Sequence, residues 1–312
     1  MCVRTSLVHS IEQFSPNCSF FGPFYRILNC TMTLRARNRL ILYSALAVLF
    51  VAVVLSAVVG VHVWSNGGPQ TVFYAFSELA EARSLYGFSV PASGAGPLGV
   101  FLSPLLPVPV AVGSALLTRR YFRSSVTPTI FFVTLSMVLS GLTAIRIAQI
   151  ILPGYGFSST YAATLSRAVY AAHIAGALAL FTASIYAAGA QYTRIWGAMI
   201  AVMTIALAFA YVLPVDAFQL DEALLHRLEA RGNIQLITGA LAVLTLINFL
   251  RYGIEAEESA RVVVPLGVFA ILVSRELFFY VSGLPLHLAA GVLYAVGFAL
   301  FARNSYAVYL WT

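Results

Sequence analysis

The sequence predicts an all-α protein: a polytopic transmembrane helix bundle of about eight spans with both termini in the cytoplasm. Of its 312 residues, 60% are hydrophobic and only 9% are charged, and the mean hydropathy is +0.89. Soluble domains carry about 25% charged residues because their surface faces water. Long apolar runs recur along the whole chain, and each could cross the roughly 30 Å of bilayer hydrocarbon as a helix. The composition therefore predicts a multi-pass membrane protein.

The apolar runs place the eight spans at about 40–63, 97–118, 128–152, 160–187, 194–213, 233–250, 262–281 and 285–302. Together they form a predicted transmembrane domain over residues 39–304. Residues 1–38 are expected to be an N-terminal extension, of which residues 1–31 are either untranslated, with an internal start at Met32, or a disordered tail. Residues 305–312 are expected to be a short cytoplasmic tail.

The orientation follows from arginine, because all 18 basic residues are Arg and none is Lys. Ten Arg flank the spans on the side of the N-terminus, against three in the loops of the opposite side. Positively charged loops stay in the cytoplasm, so this asymmetry predicts cytoplasmic termini in an inner membrane. The absence of Lys excludes chemistry that uses a lysine Schiff base. Without a basic tail, the lipid bilayer is the expected partner and nucleic acid is not.

Two outer loops are predicted to form interfacial helices, at 70–86 and 217–231. In the second loop Leu220, Leu224 and Leu228 recur every four residues. A residue pair just before this repeat, Asp216 with Gln219, has the spacing of a capping box. An amphipathic helix of this kind lies on the membrane surface or covers the mouth of a bundle.

Ionisable residues inside spans are costly in lipid and mark candidate functional sites. Here they concentrate in the outer half of the bundle, and the candidate ligand-binding residues are Arg146, Arg167, Arg275, Glu276 and His287. Three Arg against one carboxylate favour a small polar or anionic ligand. His173 lies deeper, and we interpret it as a polar contact near the middle of the membrane.

Three prolines in the second span, Pro104, Pro107 and Pro109, are predicted to break its outer half. Proline inside a helix removes a backbone donor and clashes with the preceding turn. Broken backbone at membrane depth is tolerated only where it is buried in protein or lines a wet cavity. The prolines are therefore expected to line an outward-facing cavity.

A purely structural interpretation of the same residues is also open. Arg146 and Arg167 are close enough to the interface for their side chains to snorkel. Arg275 and Glu276 are adjacent, so their side chains point about 100° apart on a helix. They are expected to have different partners, with Glu276 in an interhelix ion pair to Arg146 or Arg167.

The leading hypothesis is a non-enzymatic protein, sensor-like or a partner subunit, that binds its ligand in the outward-facing cavity. A small-solute transporter and a structural or assembly subunit are the alternatives. Enzymatic activity is not favoured: a Ser140–His173 dyad of the rhomboid-protease kind would need a Gly-x-Ser-Gly motif, which is absent. The histidines are single and scattered, so no metal site and no cofactor is predicted. Because the predicted loops are short, any signalling output would require a partner protein.

Overall fold

A computed structural model describes residues 34–65, 67–68, 83–85, 88–90, 97–122, 127–152, 158–189, 195–220, 224–228, 231–255, 260–281 and 283–311. The α-helices in these ranges are α1 (Leu34–Ser65), α2 (Pro97–Leu102), α3 (Pro107–Tyr121), α4 (Pro128–Leu142), α5 (Ser159–Ala187), α6 (Ile195–Val212), α7 (Arg231–Glu255), α8 (Ala260–Tyr280) and α9 (Leu284–Trp311). Two 3-10 helices (Ser103–Leu105 and Thr143–Ile150) and two antiparallel hairpins, β1–β2 (Arg83–Leu85 and Phe88–Val90) and β3–β4 (Val215–Leu220 and His226–Leu228), complete the described part.

The predicted number of span-length apolar helices is confirmed. Eight helices in the described part of the chain are long and apolar enough to cross a membrane. The bounds of these helices differ from the predicted ones by a few residues at most ends. The larger differences are that α1 already begins at Leu34 and that α9 continues to Trp311. Most of the tail expected at 305–312 is therefore a continuation of the last helix.

The second and third spans are each built from two kinds of helix. The first 3-10 helix separates α2 from α3 and contains Pro104, so the expected interruption occurs. Pro107 then occupies the start of α3, where a missing N–H costs nothing. The second 3-10 helix directly follows α4 and carries Arg146. The segment Thr143–Ile150 itself contains no proline or glycine, and Gly141 lies two residues before it.

The third, fourth and seventh spans form the centre of the bundle. They are mostly buried, whereas no more than a third of the first, fifth, sixth and eighth spans is buried, and these spans expose apolar side chains. The centre is held by α4 packing on α5 and by α8 packing on α9. Helix α4 has a defined start, since the Thr127 hydroxyl accepts a hydrogen bond from the Ile130 backbone N–H and Pro128 occupies the first turn.

The interfacial helix predicted at 217–231 is wrong, because the described part of this segment forms the β3–β4 hairpin. Leu224 has a backbone φ of 56° and Leu224 and Leu228 are almost fully buried. Leu224 packs among Val63 and Ile147, at one end of the bundle. The other interfacial helix, at 70–86, lies mostly outside the described residues, and its segment Arg83–Leu85 is a strand.

We call this end of the bundle the hairpin end. Here β3–β4 covers α5 and the ends of α1 and the second 3-10 helix. The spacing of Leu224 and Leu228 reflects burial in the hairpin rather than a stripe along a helix. Asp216 and Leu220 lie in strand β3, so Asp216 is not at a helix cap.

Candidate functional site

An ion pair lies near the end of α8 that faces the hairpin end. The Arg275 Nη2 donates to the Glu276 Oε1 at 2.8 Å, and the His173 Nε2 lies 3.7 Å from the same oxygen. The His173 Nε2 is also 3.5 Å from the Arg275 Nη2. Arg275 is 2% exposed, Glu276 8% and His173 3%. Two adjacent residues of α8 and one of α5 thus form a buried charged cluster.

This pairing corrects the expectation that Arg275 and Glu276 need different partners. Side chains of neighbouring residues leave a helix about 100° apart, but the long arginine chain curls back to the carboxylate. His173 is fixed on the other side by the ring of Phe279, with a centroid distance of 3.8 Å and an interplanar angle of 15°. The sequence predicts that His173 lies deeper than Arg275 and Glu276, and the structure brings it into contact with both.

Arg146 and His287 converge on one backbone carbonyl. The Arg146 Nη2 donates to the Phe278 oxygen at 3.0 Å, and the His287 Nε2 lies 3.3 Å from that oxygen. Phe278 is in the last turn of α8, where carbonyls have no partner within the helix. Cationic groups are favourable at a helix C-terminus. Both side chains therefore cap α8 two residues beyond Glu276.

The two contacts of the His287 ring depend on how the imidazole is protonated. Its Nδ1 lies 2.9 Å from the Gly283 oxygen while its Nε2 faces Phe278. A carbonyl oxygen only accepts, so a neutral imidazole satisfies one of these contacts and an imidazolium satisfies both. His287 is 1% exposed, so either form is held away from bulk water.

Arg167 does not join this group. It is half-buried on α5, and its Nε is buried without a hydrogen-bond partner among the described residues. Pro104 and Pro107 are buried and Pro109 is exposed. Around the break, Leu105 packs against an apolar cluster of α1 and the second 3-10 helix. That the prolines line a ligand cavity stays a prediction.

A hydrogen-bond network that the sequence analysis did not single out attaches the hairpin to the bundle. The Gln149 Nε2 donates to the Ser166 Oγ at 3.0 Å and to the Ala162 oxygen at 2.9 Å. The backbone N–H of His226 donates to the same Ser166 Oγ at 3.0 Å. Gln149 is a polar residue inside an apolar run, which was the available signal. The hairpin is thus hydrogen-bonded to the span that carries His173.

A cavity of about 500 Å³ opens between α7 and α8. Its lining is apolar apart from Glu276, a residue that is 8% exposed and also belongs to the buried cluster. Within the part of the chain that the structure describes, no three His, Cys, Asp or Glu side chains group as metal ligands would. No known protein family, curated protein or solved structure matches the chain.

Proposed function

We propose that this multi-pass membrane protein binds a small polar or anionic ligand at Arg275, in the half of the bundle next to the hairpin end. The supporting observation is the Arg275 guanidinium itself. It is 2% exposed, and its Nε and Nη1 have no hydrogen-bond partner among the described residues. The protein acts as a sensor-like module or a partner subunit, and not as an enzyme.

Burial leaves the Nε and Nη1 donors of the Arg275 guanidinium without hydrogen-bond partners among the described residues. A guanidinium carries five N–H donors in a rigid fork, and Nη2 alone contacts Glu276 and His173. Each buried unsatisfied donor costs about 1–3 kcal/mol. A carboxylate, bicarbonate or halide would accept from the Nε and Nη1 sides. Arg146 nearby adds positive charge, which favours an anion over a cation.

Binding is tested on purified protein by the thermal shift produced by chloride, bicarbonate, acetate and phosphate at constant ionic strength. At least one anion is expected to stabilise the wild type, by an amount that rises with its concentration. Arg275→Gln is expected to remove that shift. Arg119→Gln, an exposed arginine at the other end of the bundle, is the matched control and keeps it.

A double variant separates binding from folding. Arg275→Gln combined with Glu276→Gln removes both charges of the pair, so no single charge is left buried. The double variant should remain folded and fail to respond to the anion. If the wild type itself shows no shift with any of the four anions, the proposed site is wrong.

A transporter is the second candidate, favoured by one specific observation. The first and second 3-10 helices contact each other, and discontinuous helices surround substrate sites in many transporters. Flux of the stabilising anion into proteoliposomes decides between the two functions, because a sensor moves nothing. A structural or assembly subunit is the third candidate, supported by the capping roles of Arg146 and His287. It predicts that an obligate partner protein co-purifies.

The arginine asymmetry supports an inner-membrane orientation with both termini in the cytoplasm. In intact cells, a variant without the native cysteines and with Arg303→Cys is expected to resist an impermeant maleimide. Gly68→Cys, beyond the other end of the first span, is expected to react. The reverse pattern would contradict the proposed orientation.

A further inference from the structure

Three helices at the centre of the bundle bring buried polar atoms to one point beside Gly176. Gly176 lies on α5, Ser136 on α4 and Arg275 on α8. A Cβ added at Gly176 would lie 3.5 Å from the Ser136 Oγ and 3.9 Å from the Arg275 Nη1. The third of its nearest neighbours is the Ser136 backbone oxygen, at 3.6 Å. These are ordinary van der Waals distances, so the point beside Gly176 has room for one more heavy atom.

Both side chains at this point carry hydrogen-bond donors that no described residue uses. Ser136 is fully buried, and its Oγ has no hydrogen-bond partner; the same holds for the Nε and Nη1 of Arg275. The Tyr294 hydroxyl interacts electrostatically with both side chains but makes its hydrogen bond to the Ser140 Oγ, at 3.1 Å. Because buried polar groups are nearly always paired, unpaired donors from two helices at one point indicate a site for an acceptor.

The contacts of the Arg275 fork favour an acceptor that binds through a single atom. A guanidinium holds the two oxygens of a carboxylate or phosphate along one of its edges, Nη2 with Nε or Nη2 with Nη1. Nη2 belongs to both edges, and here it already contacts Glu276 at 2.8 Å and His173 at 3.5 Å. The unpaired Nε and Nη1 lie on different edges. They therefore offer single hydrogen bonds rather than a bidentate pair.

The charges around this point favour a monovalent anion. The charges of Arg275 and Arg146 both act on His173, so the two guanidinium groups lie in the same region. Against them, the buried residues that the structure describes supply one carboxylate, that of Glu276. A buried charge is costly unless it is balanced. One added negative charge balances this set, whereas a doubly charged phosphate would exceed it.

We propose that the anion bound at Arg275 is chloride, held by the Arg275 Nη1 and the Ser136 hydroxyl at the point beside Gly176. This inference rests on the proposed function and deepens it, because it narrows the ligand from small polar or anionic molecules to a monatomic anion. Ser136 and Gly176 enter the site as an anion-binding hydroxyl and as the residue that leaves room for the ion.

The test measures binding of radiolabelled chloride to purified full-length protein by equilibrium dialysis, with unlabelled anions as competitors. Bromide is expected to displace chloride. Acetate and phosphate should require at least about tenfold higher concentrations, since a hydrogen bond to a charged group contributes about 1.5–3 kcal/mol and 1.4 kcal/mol is a factor of ten in affinity. Displacement by acetate as effective as that by bromide would overturn the proposal.

Ser136→Ala removes the hydroxyl without breaking a hydrogen bond of its side chain. The variant should therefore fold like the wild type and bind chloride at least about tenfold more weakly. Ser114→Ala is the matched control. Ser114 is also buried, on α3, but its hydroxyl donates to the Ala111 oxygen of its own helix. This control should bind chloride like the wild type. Unchanged binding by Ser136→Ala would contradict the proposal.

Gly176→Ala places a methyl group at the point that the ion would occupy. The added Cβ meets no atom closer than 3.5 Å, so the helices keep their packing while chloride binding is lost. Gly113→Ala adds the same methyl on α3, where no atom lies within 4 Å, and should leave binding unchanged. Wild-type affinity in a folded Gly176→Ala protein would place the ion elsewhere and overturn the proposal.

Failure of this inference and failure of the proposed function give different results. If acetate, bicarbonate or phosphate stabilises the wild type through Arg275 while chloride does not bind, the chloride assignment is overturned and the anion site remains. If chloride binds equally well to Arg275→Gln, or if no anion acts on the wild type, the proposed function is wrong as well.

Discussion

The two halves of the bundle solve the burial of polar groups in opposite ways. In the half away from the hairpin end, the fully buried polar side chains among the described residues are uncharged, and the hydroxyls of Thr118 and Thr134 pair between two helices at 2.9 Å. In the half next to the hairpin end, Arg146, Arg275 and Glu276 are buried as charges. Both halves belong to the same helices, so the difference does not come from fold class.

The two halves differ in the energetic cost of their buried polar groups. Helices in lipid associate through close contact of small residues and weak hydrogen bonds, and the interior of the half away from the hairpin end uses contacts of this kind. Buried charges are rarely the most stable choice, since apolar replacements of an ion pair are often as stable. The charged half is therefore the half in which function is expected to lie.

The largest effect is expected from Glu276→Leu, which leaves the buried Arg275 without its 2.8 Å partner. We expect a loss of about 3–5 kcal/mol in the free energy of unfolding. Combining it with Arg275→Leu should restore most of that loss. Unfolding titrated with dodecyl sulfate in mixed micelles measures all three proteins. A single variant as stable as the double would mean that the pair contributes nothing to stability.

The next effect is expected in the charge-free packing of α8 on α9. A Cβ added at Gly297 would lie 2.7 Å from the Gly267 carbonyl oxygen and 2.9 Å from the Ala270 Cβ. Gly297→Ala should therefore cost about 1–3 kcal/mol by overpacking. At Gly113 no atom lies within 4 Å of an added Cβ. Gly113→Ala should be neutral or stabilising by up to about 1 kcal/mol, from helix propensity; the same micelle titration compares the two.

A smaller effect, equal in the two halves, is expected from removing one hydrogen bond in each half. Tyr294→Phe removes the 3.1 Å contact with the Ser140 hydroxyl, and Thr118→Val removes the contact with Thr134. Interhelical hydrogen bonds in membrane proteins average about 0.6 kcal/mol, so both variants should lose about that much. A much larger loss for Tyr294→Phe alone would show that its hydroxyl belongs to the charged network.

The spans were predictable because lipid imposes one strong rule: a spanning helix must be apolar for about 20 residues. The break in the second span was also predictable, since Pro104 and Pro107 leave a local signature. The second 3-10 helix was not, because Thr143–Ile150 contains no such residue. Its geometry depends on tertiary contacts that a single sequence does not display.

The β3–β4 hairpin shows why the prediction failed outside the spans. Buried leucines at intervals of four fit a helix stripe, yet here Leu224 and Leu228 are buried by different neighbours of the bundle. Tertiary packing overrides periodicity in a segment this short. The buried charged cluster was predictable in part. Depth along the spans identified Arg275 and Glu276, but whether two adjacent residues pair depends on their side-chain rotamers.

The smallest effect is expected on the apolar faces that both halves turn outward. Leu236 of α7 is 72% exposed near the hairpin end, and Val262 of α8 is 70% exposed near the other end. If lipid covers both faces, truncating either residue to alanine should change the unfolding free energy by no more than about 0.5 kcal/mol. The difference between the two halves is then confined to the interior of the bundle. A clear loss at one position, seen only when a second protein co-purifies, would show that this face is an interface and would favour the assembly-subunit alternative.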